Sequence, residues 1–175
     1  MSLTAVEHGI RATGKPSALR AVNPRLMFAI PAGWSDADTE LANSLTASRV
    51  LRQPPCHGES LVPNVVIQYF DFMSSDSFRL STIDTGQDML GLNSPQLIGH
   101  HILANGFVSI NEGRFAEHNR VLAIRRIHVS YTTTEGKAAL SILTSTAPVS
   151  DGESLASDID TICRTWLKTT IPGLS

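Results

Sequence analysis

The chain of 175 residues has little charge, few aromatic side chains and only two cysteines, and each shortage excludes something. Lys and Arg number 14 against 16 Asp and Glu, a formal charge of -2, and no block of like sign interrupts the scatter. A basic footprint for nucleic acid, a polybasic membrane patch and an acidic tail are therefore unsupported. No apolar run approaches the ~18 residues of a membrane span. Cys56 and Cys163 stand far apart with no CxxC or zinc-like grouping. Two separate thiols is the plain reading, and a disulfide between a loop at Cys56 and a helix at Cys163 is the alternative, which would imply an oxidising compartment. The opening MSLTAVEHGIRATGKPSALRAVNPRL has no seven-residue apolar stretch behind a basic start and does not read as a secretory signal. As it stands the sequence suggests a cytoplasmic protein, or an envelope or secreted one if a signal segment has been removed.

What is present is a substantial apolar content, 42% of the chain, enough for one sizeable core. Residues 1–24 are polar, punctuated by Gly and Pro and aperiodic, and read as a flexible N-terminal arm. Residues 25–170 read as a single α+β domain. It is expected to begin with a strand over Arg25–Ile30, stopped by Pro31, after which Pro31-Ala32-Gly33-Trp34 turns a large aromatic back toward the core. Ser35 and Asp36 can cap a helix across Thr39–Leu45, and Ala47–Gln53 reads as a strand. Asn64–Phe72, NVVIQYFDF, is the strongest strand pattern, with Val65, Ile67, Tyr69 and Asp71 on one face and Val66, Gln68, Phe70 and Phe72 on the other. Between Ser74 and Leu103 the signals are mixed, with a helix near Leu80–Leu90 and a further helical turn after Pro95, capped by Ser94.

The second half is more regular. Phe107–Ile110, Arg114–His118, Val121–Tyr131 and Lys137–Ala147 are strand candidates, separated by turns at Asn111-Glu112-Gly113 and Thr134-Glu135-Gly136, the last two strands forming a hairpin. Pro148 ends the sheet. Ser150 and Glu153 fit a capping box, and Leu155, Ile159, Ile162, Cys163, Trp166 and Leu167 follow a helical period. This closing amphipathic helix should pack on an antiparallel sheet and end at Pro172 and Gly173.

Chemistry is sparsely signalled. Of the six histidines, the neighbours His100 and His101 point apart in a strand, and His118 and His128 come from adjacent strand candidates without an HxH or HExxH spacing. All read as structural or surface histidines, and no metal site is expected. Cys56 beside His57 is a poor nucleophile and base pair in a Pro-rich loop. There is no GxGxxG, P-loop or GxSxG elbow. Arg125 and Arg126 are adjacent, so each faces a different side of a strand; a carboxylate-paired edge is the plain reading and an anion site the functional one. Trp34 and Trp166 read as core anchors. No catalytic, cofactor-binding or metal-binding residue is assigned.

The strand ending FAIPAGW, the strand PNVVIQYFDF, the meander RRIHVSYTTTEGKAALSILTSTAP and the final helix SLASDIDTICRTWL together resemble the LpqN/LpqT-like proteins of actinobacteria. The resemblance covers about Arg25–Leu167 and implies a PsbP-like α+β fold, an antiparallel sheet with helices on its faces. It also implies a non-enzymatic binding or envelope-associated role, with no catalytic residues to carry over. The expected function is a binding or scaffold module without a cofactor, acting through a protein partner that includes a second copy of itself, since a sheet of this size has two edges to protect. A carrier of a small apolar ligand, and after it a His-dependent hydrolase, are the alternatives.

Overall fold

The computed structural model describes residues 4–14, 17–19, 28–54, 62–76, 78–92, 95–103, 106–117 and 119–171. Its architecture is α+β. One antiparallel sheet of eight strands carries helices on both faces. In chain order the elements are α1 (Ala5–Thr13), β1 (Ser17–Leu19), β2 (Ser35–Asp36), α2 (Thr39–Ser44), β3 (Arg49–Arg52), β4 (Asn64–Phe72), α3 (Gly86–Leu90), β5 (Gln96–Leu103), β6 (Val108–Glu117), β7 (Arg120–Thr132), β8 (Ala138–Pro148) and α4 (Gly152–Thr170). Short 3-10 turns at Leu80–Thr82 and Val149–Asp151 precede α3 and α4. The strands run in the order β2-β3-β4-β8-β7-β6-β5, and β1 joins β4 beyond the end of β3.

Alternation along the long strands sorts the core into two layers. Val65, Ile67 and Tyr69 of β4, Ile127 and Val129 of β7 and Leu143 of β8 lie under α4, which brings Leu155, Ile159, Ile162 and Trp166 onto them. Trp166 is wholly buried, and its indole Nε1–H donates to the Tyr69 hydroxyl at 2.8 Å. Burial pushes the Tyr69 phenol up to about 12, so that hydroxyl stays protonated. Among the described residues the opposite face is covered over only part of its area, where Phe72, Leu140 and Ile142 meet Ala5, Phe78, Leu80 and Ile83.

The Pro31 turn behaves as its composition requires. Gly33 has φ +86°, Trp34 N–H closes on the Pro31 carbonyl at 3.2 Å, and the buried Trp34 donates from Nε1 to Asp158 of α4 at 3.1 Å. The β7–β8 hairpin closes through Gly136, at φ +76°, with Thr133 N–H bonded to the Lys137 carbonyl at 2.7 Å.

Several expectations need correction. The strand over Arg25–Ile30 is not seen at Phe28–Ile30, the described part, because Ala29 N–H bonds the Thr165 hydroxyl of α4 at 3.1 Å instead of a neighbouring strand. Ser35 and Asp36 form β2, and the cap of α2 is Asp38, which accepts from Leu41 N–H at 2.7 Å. The segment after Pro95 is the edge strand β5, whose residues stay largely exposed on both faces and so show no burial period; Ser94 lies outside the described residues. Asn111-Glu112-Gly113 is not a turn but the middle of β6, where Asn111 is buried with its own hydrogen-bond partners. Ser150 lies in the 3-10 turn that leads into α4. Pro172 and Gly173 lie outside the described residues.

The segment read as an aperiodic arm contains α1. Thr4 and Glu7 form its capping box, with Glu7 N–H on the Thr4 hydroxyl at 3.2 Å and Thr4 N–H on the Glu7 carboxylate at 2.8 Å. Its inward residues are Ala5 and Gly9, too small to register as an apolar stripe. A Cβ on Gly9 would stand 2.5 Å from Phe72 Cζ, so the helix sits directly on the Phe72 ring.

Two stability measurements check this packing. Trp166→Ala is expected to cost about 3 to 5 kcal/mol in denaturant unfolding; an unchanged midpoint contradicts the placement of α4. Gly9→Ala sets a gain of about 1 kcal/mol in helix propensity against overpacking of about 1 to 3 kcal/mol on Phe72. A net loss of stability is expected, and a more stable variant contradicts the close approach of α1.

Candidate ligand-binding groove

Between the two packed regions, the face opposite α4 carries a buried polar seam. Thr85, Ser109, Asn111 and His128 are all without measurable exposure. The Thr85 and Ser109 hydroxyls bond at 2.6 Å, Asn111 Nδ2 donates to Thr85 at 3.1 Å, and Asn111 Oδ1 meets His100 Nδ1 at 2.6 Å. Asp88 of α3 lies beside them with a side chain only 3% exposed. It accepts Ala5 N–H of α1 on both carboxylate oxygens, at 3.0 and 3.1 Å, and meets His128 Nε2 at 3.1 Å.

These bonds fix the His128 tautomer. An ionised carboxylate only accepts, so Nε2 carries the proton and donates to Asp88. The buried Nδ1, which has no partner among the described residues, is then the bare lone pair. Burial, opposed by the Asp88 bond, holds the imidazole below its ordinary pKa. Among the described residues, no hydroxyl or thiol lies within hydrogen-bond distance of the ring.

Arg126 follows on the same face of β7. Its Nη1 donates to the Thr144 hydroxyl of β8 at 3.1 Å, while its Nε stands 3.4 Å from His128 Nε2, beyond ordinary hydrogen-bond length. Burial lowers its pKa, partly offset by the charge of Asp88, yet Asp88 makes its bonds to Ala5 and His128 instead. Arg126 thus lacks a bonded carboxylate among the described residues. It lies at one end of a groove of about 380 Å³ on the part of the sheet that no described helix covers, lined by Val66, Phe115, Leu122 and Ile124, by Leu45 and Leu92 beyond the strands, and by Asn64, Gln68, Thr144 and Thr146. Its acidic lining residue, Glu117, ends β6 opposite Arg120.

The α4 face has an open trough of about 880 Å³ at the β5–β6 side, lined by His101, Arg125, Cys163 and Leu167 among others. Its cation on β7, Arg125, is already matched. Arg125 Nε donates to Glu112 at 2.7 Å and its Nη1 to Asp160 of α4, and these bonds outweigh burial and raise its pKa. The adjacent arginines therefore divide as the strand period requires, Arg125 carboxylate-paired and Arg126 facing the groove.

The other expected residues are dispersed. His100 and His101 point to opposite faces, and His8 lies 6.0 Å from the Phe78 ring centroid. Cys163 is a buried free thiol, pushed up to about 11 chiefly by burial. Cys56, His57 and His118 lie outside the described residues. No group of three His, Cys, Asp or Glu side chains among the described residues can hold a metal ion. Sequence reading missed Asp88, which no motif marks, and raised Arg126 only together with Arg125, with an anion site as the functional alternative.

No protein-family model matches the chain, and no curated protein matches its sequence. Among solved structures it is similar to LpqN of Mycobacterium tuberculosis, a protein involved in cell envelope biogenesis. The TM-score is 0.63 at 12% identity, over 92% of this chain and 94% of that one, a likeness of fold.

The His128 assignment has a pH signature. Between its depressed native pKa and the roughly 6.5 of an unfolded histidine, the unfolded chain binds a proton that the native chain does not. Stability contributed by neutral His128 is complete above that window and falls with pH through it, by at most about 1.4 kcal/mol per pH unit. Chemical denaturation from pH 7 to 5 is expected to show a steeper decline for the native protein than for His128→Gln; parallel curves contradict a buried neutral imidazole.

Proposed function

We propose that this chain is a non-enzymatic binding module of the cell envelope, holding a small, mainly apolar ligand in the groove beside Arg126. The observation that carries the reading is the groove itself. Its volume of about 380 Å³ falls within the roughly 300 to 1,000 Å³ typical of small-molecule sites. Apolar walls with a few convergent polar groups are the usual composition of such sites. The buried His128–Asp88 pair has no nucleophile beside it among the described residues, and its bonds support α1 rather than chemistry. The envelope assignment draws on the fold shared with LpqN, itself involved in cell envelope biogenesis. Among the described residues no helix is long and apolar enough to cross a membrane.

A second reading, partner addition at a sheet edge, is favoured by β5. It is the terminal strand of eight residues, has no Asp, Glu, Lys, Arg or proline, and exposes Leu97, Ile98, Ile102 and Leu103. A second copy of the chain is the simplest partner. Light scattering over a range of concentrations is expected to show mass rising above 18.9 kDa, and a constant monomer mass counts against it.

The groove is tested with an uncharged probe. Calorimetric titration with 1-decanol is expected to give saturable 1:1 binding. Thr146→Trp, which fills the groove floor from β8, is expected to weaken it at least about tenfold, roughly the worth of the apolar wall that the indole hides from the alkyl chain. Absence of saturable binding, or equal binding by a folded Thr146→Trp protein, refutes the assignment.

A further inference from the structure

We infer that the groove selects amphiphiles with a single negative charge, a carboxylate head on Arg126 and an unbranched apolar chain along β7. The inference rests on the binding reading above and names the ligand class. A guanidinium has five N–H donors in a rigid fork, and Arg126 makes one bond of ordinary length among the described residues, to Thr144. A partly buried cation without a bonded anion carries a desolvation cost, and an entering carboxylate offsets it through two parallel N–H···O bonds. Asp88 cannot take this part, because its oxygens are engaged by Ala5 N–H and His128.

The charge and shape of the site narrow the class. A single guanidinium compensates one buried anion, so a doubly charged head would leave an unpaired charge. From Arg126 the groove continues past Ile124 and Leu122 on the same face of β7, walled by Val66 of β4 and Phe115 of β6. Four residues of strand from Arg126 to Leu122 span roughly 13 Å. Glu117 lies at the far end of β6, six residues from Asn111, the register partner of Arg126. That separation, roughly 20 Å along the strand, keeps its carboxylate from the head-group end.

The test compares probes of equal chain length on the full-length protein. Decanoate is expected to bind at least about tenfold more tightly than 1-decanol, the worth of one charge-assisted pair, and decyltrimethylammonium more weakly than either. Arg126→Gln is expected to abolish the preference for decanoate over decanol. If that variant fails to fold, the three-probe comparison on the unaltered protein decides alone. Equal affinity for decanoate and decanol overturns the inference and leaves the groove reading standing; failure of all three probes to bind overturns both.

Discussion

A carboxylate taken out of water must find partners for its lone pairs, and the way Asp88 finds them organises one whole face of this sheet. It reaches from the five-residue α3 to the first N–H of α1 and to His128 on β7. The positive end of α1 and an imidazole N–H are what a buried anion requires. Meeting that requirement fixes the docking of α1 and the tautomer of His128. It also withholds Asp88 from Arg126, two residues away from His128 on the same strand face. The groove cation and the packing of the N-terminal helix are thus consequences of the same carboxylate.

The two faces of the sheet resolve the problem of burial differently. On one, the nineteen-residue α4 supplies a long apolar stripe, and Arg125 at its margin is neutralised by Glu112 and Asp160. On the other, among the described residues, α1, the 3-10 turn at Leu80–Thr82 and α3 are too short to cover the strands from β4 to β6, and a groove remains beyond the polar seam. The filled face secures the fold. The incompletely covered face leaves apolar surface and the Arg126 guanidinium where a ligand can reach them, and the binding reading follows from that asymmetry.

Legibility in the sequence followed the strength of the local period. NVVIQYFDF and SLASDIDTICRTWL bury large side chains at spacings of two and of three to four, and the structure has β4 and α4 there. The hairpin was legible through Gly136. The period fails where burial uses small or polar groups. Helix α1 packs through Ala5 and Gly9, β5 is exposed on both faces, and β6 contains Asn111 and Gly113 because Asn111 bonds Thr85 and His100 while Gly113 leaves room for Met89. The groove was less legible than the fold. Asp88 and His128 lie forty residues apart with no motif linking them, and only pairing of β6, β7 and β8 brings Arg126 to Thr144.

The most direct test of this account is a crystal structure of the protein with decanoate. The expected result is electron density in the groove, with the carboxylate about 2.7 to 2.9 Å from the Arg126 guanidinium and the chain over Ile124 and Leu122. Decanoate seated instead in the trough beside Cys163 and Leu167, with the Arg126 groove empty, would contradict it.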